Sequence, residues 1–87
     1  MVSKIVKVTN PTGLHLRPAG LLCKEAIKYE SKIIFKFKKS TANAKSVLSV
    51  LGACVKCGDE IEFECTGEDE VEALQALVAL VESGLGE

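Results

Sequence analysis

Two stretches of this chain, Lys32–Lys38 and Glu60–Thr66, alternate apolar and charged residues with a period of two and carry opposite charges. In the first, Ile33, Phe35 and Phe37 fall on one side and Lys32, Ile34, Lys36 and Lys38 on the other. In the second, Ile61, Phe63 and Cys65 oppose Glu60, Glu62 and Glu64. A period of two is the signature of a half-buried β-strand. A lysine-lined strand beside a glutamate-lined one gains roughly 0.2–1 kcal/mol for each opposite-charge pair. One sheet face is then wet and the other must be covered by helices, which makes the chain an antiparallel α+β domain.

The remaining segments supply those helices and two more strands. Ile5 to Thr9 reads as the first strand, with Val6 and Val8 on one face and Lys7 on the other. Asn10-Pro11-Thr12-Gly13 is a turn-rich loop. Leu16 to about Tyr29 reads as a helix, with Ala19, Leu22, Cys23, Ala26 and Ile27 at helical spacing. Gly20 within it costs about 1 kcal/mol relative to alanine, so this helix must lean on tertiary packing. Ser40 to Ala44 forms a hairpin with the lysine strand, and Ser46 to Leu51 reads as a short helix with Ser46 as N-cap. The last helix starts near Asp69, paired with Glu72 in a capping-box spacing, and carries Val71, Leu74, Leu77, Val78 and Val81 as its apolar stripe. Ser83-Gly84 stops it. The element order is β-α-β-β-α-β-α.

Residues 1–87 make one domain with one core. A formal net charge of −1 leaves no electrostatic footprint for nucleic acid. No apolar run approaches the roughly 18 residues that span a bilayer, so no membrane insertion is expected. Cys54-Val55-Lys56-Cys57 is a lone C-x-x-C, a weak metal signal, and Cys23 and Cys65 sit at apolar positions of a helix and a strand. Reduced cysteines fit a cytoplasmic protein, with no metal and no cofactor.

The single histidine, His15, stands in the run Gly13-Leu14-His15-Leu16-Arg17-Pro18-Ala19. It falls where a loop ends and the first helix begins. Helix starts present unpaired N–H groups and the positive end of the macrodipole, so they favour anions. An imidazole there can act as a nucleophile, with Arg17 to bind an oxyanion. Pro18 fits the first turn, where its missing N–H removes no helical hydrogen bond. The plain alternative is a surface cap residue with an unrelated arginine nearby.

The Gly-x-His-x-Arg-Pro-Ala run, together with Lys45-Ser46-Val47-Leu48 and the continuation through Gly58 into the last helix, resembles the HPr family of bacterial sugar phosphotransferase systems. The resemblance covers essentially the whole chain. It implies an open-faced β-sandwich, with four antiparallel strands in the order 1-4-2-3 and three helices on one face. It also implies a stoichiometric phosphoryl carrier rather than an enzyme. Nδ1 of His15 would take phosphate from enzyme I, charged by phosphoenolpyruvate, and pass it to IIA domains of sugar permeases. Arg17 and Pro18 complete the reacting corner. Ser46 would be phosphorylated by HPr kinase/phosphorylase, creating a surface for a catabolite-control repressor, although an N-cap role alone accounts for a serine there.

Partner docking is expected around Thr12, Leu16, Gly20, Val47, Leu48 and Leu51, on a monomer. A one-turn helix cannot bury every side chain of Val47–Leu51, so Val50 is expected inside, Val47 and Leu48 outside and Leu51 between. Thr12 is equally readable as a phosphate contact or a plain turn residue. Two departures from the family pattern stand out. Leu16 is bulkier than the usual alanine or threonine, and Ala53-Cys54 replaces Leu-Gly, with Gly52 expected to end the short helix instead. A paralogous carrier of a regulatory branch is the alternative within the class. A catabolite-repression homologue lacking the histidine is disfavoured by His15 itself. Outside the class stands a small C-x-x-C metal chaperone, in which the cysteine pair would follow the first strand, where this chain has His15.

Overall fold

The computed structural model describes all residues from Met1 to Glu87. The elements follow the order β1 (Val2–Lys7), α1 (Leu16–Ala26), β2 (Lys32–Phe37), β3 (Ser40–Asn43), α2 (Val47–Gly52), β4 (Glu60–Thr66) and α3 (Glu70–Glu82). The four strands form one antiparallel sheet in the order β1-β4-β2-β3. The glutamate strand therefore lies beside the lysine strand. Lys36 faces Glu62 in register and ion-pairs diagonally with Glu64 at 2.9 Å. Among the lysines of β2 this is the one ion pair, so the charge rows are chiefly a solvated face.

The other sheet face carries the core. Ile33, Phe35, Phe37, Ile61, Phe63 and Cys65 are buried there against Ala19, Leu22 and Ala26 of α1, Val50 of α2, and Ala73, Leu77, Val78 and Val81 of α3. Phe35 and Phe63, directly paired across β2 and β4, meet edge to face with centroids 5.9 Å apart. That geometry is the one aromatic quadrupoles prefer. Apolar burial of this kind is the main source of the fold's stability.

Several boundaries and faces differ from the sequence reading. β1 runs from Val2 to Lys7 rather than from Ile5 to Thr9, because its register against Cys65–Glu60 extends toward the N-terminus. α1 ends at Ala26, where Lys28 and Tyr29 donate to carbonyls three residues back and tighten the chain out of the helix. Ile27 and Val71, assigned to apolar stripes, are exposed. Ser46 is the N-cap of α2 as expected, and the helix runs one residue beyond Leu51. Gly52 is its last residue, as expected, but does not itself take the left-handed conformation. The chain leaves the helix through Ala53, and Cys54 takes the left-handed conformation at φ 58°.

Asp69 sits at the N-cap of α3, but its carboxylate does not cap the helix. It turns away to accept from the Ser31 hydroxyl, from Ser31 N (2.9 Å) and from Glu30 N (2.9 Å). The capping-box reading with Glu72 is thereby corrected. Glu70 reaches back instead, its Oε1 accepting from Gly67 N at 3.1 Å. No helix is long and apolar enough to cross a membrane.

Candidate functional site

The corner holding His15 is built by the loop between β1 and α1. Asn10 is buried and its Nδ2 donates to Gly13 O at 2.7 Å, while Gly13 N donates back to Asn10 O at 3.1 Å. Gly13 has φ 66°, and a Cβ there would lie 2.5 Å from Val55 O and 2.7 Å from Lys56 Cα. Only glycine permits that approach. The approach matters because Leu14 N then donates to Val55 O at 3.0 Å, and the buried Leu14 side chain pins the loop to the segment before β4. His15 follows immediately, so its position is fixed from both sides of the loop.

His15 is the N-cap of α1, with φ −80° and ψ −175°, and its carbonyl accepts the first helical bond from Ala19 N at 2.8 Å. Its imidazole makes no capping bond and is exposed. The first turn contains no acidic residue. Leu16 and Arg17 thus offer their N–H groups without a side-chain cap, and Pro18, buried, has none to offer. Arg17 is exposed and enters no ion pair. A nucleophilic ring, a helix N-terminus and an unengaged guanidinium therefore share one corner. That set of groups can attract, orient and hold a tetrahedral oxyanion.

A cavity of about 370 Å³ opens beside the ring, between Thr12, Leu14 and His15 on one wall and Leu51, Cys54 and Lys56 on the other. The apolar residues singled out in the sequence divide as expected except for Val47, which was expected outside but packs partly against the core as Leu51 does. Leu48 is 82% exposed and Leu16 63%, Val50 is fully buried, and Val47 and Leu51 are half-buried. Gly20, one turn beyond Leu16, is half-buried. α1 and α2 pack against each other, so the two helices carrying the exposed leucines are neighbours.

Ser46 lies on α2, a separate helix from His15. Its hydroxyl accepts from Ser49 N at 3.2 Å. The approach to it is held firmly: Lys45 Nζ donates to Tyr29 O at 2.6 Å, and Cys23 Sγ donates to Lys45 O at 3.0 Å. Cys54 and Cys57 are both exposed, with Sγ atoms directed at different carbonyls, Gly52 O and Thr9 O. Cys65 is buried, and burial pushes its thiol pKa up.

One residue at this corner carried no sequence signal. Glu87, far along the chain, accepts from Thr12 Oγ1 at 2.8 Å (Oε1) and 2.9 Å (Oε2), and from Asn10 Nδ2 at 3.0 Å. The hydrogen bond from Asn10 and that from Thr12 hold its carboxyl below the usual range, with the Arg17 charge adding to the effect. Thr12, read as a turn residue or a phosphate contact, is thus engaged with a carboxylate.

The family model described as the PTS HPr component phosphorylation site matches residues 2–83. The chain belongs to the HPr family. The phosphocarrier protein HPr of Treponema pallidum is 40% identical over 83 residues, covering 95% of this chain and 94% of that protein. The HPr-like protein Crh of Halalkalibacterium halodurans is 38% identical over 82 residues, covering 94% and 98% respectively. Among solved structures, HPr from Thermoanaerobacter tengcongensis superposes with a TM-score of 0.97 at 38% identity, covering all of this chain and 98% of that one. As an HPr-family protein, the chain is a phosphocarrier of the phosphotransferase system type.

Proposed function

We propose that His15 is the phosphoryl acceptor, taking phosphate on Nδ1 from enzyme I and passing it to IIA domains of sugar permeases. The observation that carries this reading is the open start of α1: an exposed imidazole at the N-cap, with no capping bond and no first-turn acid, beside a free Arg17. The nitrogen lone pair forms the N–P bond while the donor's bond to phosphorus breaks, its electron pair leaving with the donor. Phosphoryl transfer asks a protein for positioning and charge stabilisation, which a helix start and a guanidinium supply. The dipole contributes about 0.3–1 kcal/mol, reaching about 2 where partly buried. A modest hold suits a carrier, which must release what it binds. The protein is consumed and regenerated stoichiometrically, so it is a carrier and not itself an enzyme, acting as a cytoplasmic monomer.

Leu16, Leu48 and Leu51, with Val47, Thr12 and Gly20, form the docking surface in this reading. Ser46 is its regulatory position, phosphorylated by HPr kinase/phosphorylase. A phosphate there adds about two negative charges beside Val47 and Leu48, which hinders docking of enzyme I and offers a surface to a catabolite-control repressor. The similarity to a Crh protein supports a regulatory branch as the second reading.

Incubation with enzyme I and phosphoenolpyruvate, followed by intact mass, tests the assignment. The protein should acquire one acid-labile phosphate, and His15→Ala should acquire none while melting normally. Undiminished labelling of that variant would place the acceptor elsewhere.

A further inference from the structure

The chain after α3 does not trail into solvent. Leu85 is fully buried and its N–H donates to Leu80 O at 3.2 Å, while Glu87 N donates to Gly84 O at 3.0 Å. Residues 84, 85 and 86 all take positive φ, at 93°, 51° and 80°. This tight reversal delivers the Glu87 carboxylate to the loop in front of His15. There it receives the Thr12 hydroxyl, Thr12 N at 3.3 Å and Asn10 Nδ2.

Thr12 also lines the cavity beside His15. A threonine hydroxyl has one hydrogen to give. While Glu87 holds it, an anion on His15 cannot. A phosphoryl group arriving on the ring brings about two negative charges into the same corner. It must either displace the carboxylate from Thr12 or endure its charge. Both alternatives disfavour the phosphorylated state relative to the free one.

Building on the carrier reading of His15, we propose that Glu87 is a positioning residue that competes with the phosphoryl group for the Thr12 donors, and so keeps the phosphohistidine ready for transfer. The carboxylate acts through Thr12 and takes no part in bond making. It serves as a resident anion, filling the donors when the ring is empty and opposing the phosphate when it is occupied. Arg17 is exposed and makes no close ion pair, and its charge, which already acts on Glu87, is shared with the phosphoryl group when the ring is occupied.

The test is an equilibrium measurement. Wild type, Glu87→Gln, Thr12→Ala and the double variant are each incubated with enzyme I, phosphoenolpyruvate and pyruvate, at a ratio that leaves the wild type partly phosphorylated. Intact mass gives the ratio of phosphorylated to free protein. Glu87→Gln keeps the shape and removes the charge, and should raise that ratio roughly threefold, the scale of one exposed charge interaction. In the Thr12→Ala background the same exchange should change it less, because the contested hydroxyl is gone. A structural role would instead lower the melting temperature of Glu87→Gln and leave the equilibrium ratio unmoved. An unchanged ratio, or an equal effect with and without Thr12, overturns the proposal while leaving His15 as acceptor. A wild type that takes up no acid-labile phosphate removes the carrier reading, and this proposal with it.

Discussion

α1 and α2 begin in the same way and finish the job differently. Each follows a residue in extended conformation, His15 at φ −80° and Ser46 at φ −120°, and each N-cap carbonyl accepts the first helical bond. At α2 the cap is closed, with Ser46 Oγ taking Ser49 N. At α1 the cap residue gives nothing back to the helix. A serine or threonine cap contributes about 1 kcal/mol, so α1 forgoes a stabilisation that α2 takes. What it keeps is a set of N–H donors free for an incoming anion. The comparison separates a helix start that stabilises the fold from one that is available for chemistry.

Removing charge from the open start should have the largest effect. Arg17→Ala should slow phosphoryl transfer roughly 100-fold, the scale of losing one transition-state donor, and leave the melting temperature unchanged, since Arg17 is exposed and unpaired. Lysine should restore part of the rate, because it carries the charge without the planar fork. Rapid-quench kinetics with phosphorylated enzyme I and a thermal melt read both halves. A lower melting temperature with normal transfer would make the α1 start as structural as that of α2.

The start of α3 is a third case, where a helix cap residue is spent on another part of the fold. Hydrogen bonds from the Ser31 hydroxyl and Glu30 N hold the Asp69 carboxyl below its usual range, and that from Gly67 N does the same for Glu70. Carboxyls depressed in the folded protein and ordinary in the unfolded chain bind more protons when unfolded. Their contribution is therefore complete above the usual carboxylate range, near pH 4, and is lost as pH falls through the folded values below it. Urea titrations across that window should show stability falling toward acid. Asp69→Asn should lower stability at neutral pH and flatten the acid limb. An unaltered acid limb would return Asp69 to the role of an ordinary cap.

These starts also show what the sequence could reveal. The alternation of Lys32–Lys38 and Glu60–Thr66, with their opposite charges, pointed to the pairing of β2 with β4 because strand faces are a local property. Ser46 was legible as a cap because its partner, Ser49 N, lies three residues away. Asp69 was misread for the opposite reason: Ser31 and Glu30 lie 38 and 39 residues from it, and no local spacing reports them. Glu87 was silent on the same ground, with Thr12 75 residues away. His15 and Arg17 stood out through their residue types in a short motif, but the open cap between them became visible only once the helix start was in place.

Changes to the closed start should be smaller. Ser46→Ala should cost about 1 kcal/mol of stability and leave His15 phosphorylation near normal. Ser46→Asp should slow that phosphorylation roughly tenfold through charge at the docking surface, with the slowing reduced at high salt. Stopped-flow rates at two ionic strengths check this. Equal rates for all three proteins would confine Ser46 to capping.

The smallest expected effect lies at the other end of α2, where the helix stops less comfortably than it starts. Ala53 N donates to Val50 O and Cys54 N to Leu51 O, both at 3.2 Å, and Cys54 holds φ 58° to turn the chain out of the helix. A left-handed residue after a helix is usually glycine, because a Cβ there crowds the backbone at a cost of roughly 1–2 kcal/mol. Glycine removes that crowding but loses more chain entropy on folding, by roughly 0.5–1 kcal/mol. The difference favours glycine, and the exposed thiol gives up little burial in exchange. Cys54→Gly should therefore raise stability by about 0.5 kcal/mol, read as a higher urea midpoint at unchanged slope. Cys57→Ser, a control at the other exposed cysteine of the pair, should leave the midpoint where it was. If Cys54→Gly lowers the midpoint instead, the thiol stabilises the end of α2, and the closed helix would be held at both ends by side chains rather than at its start alone.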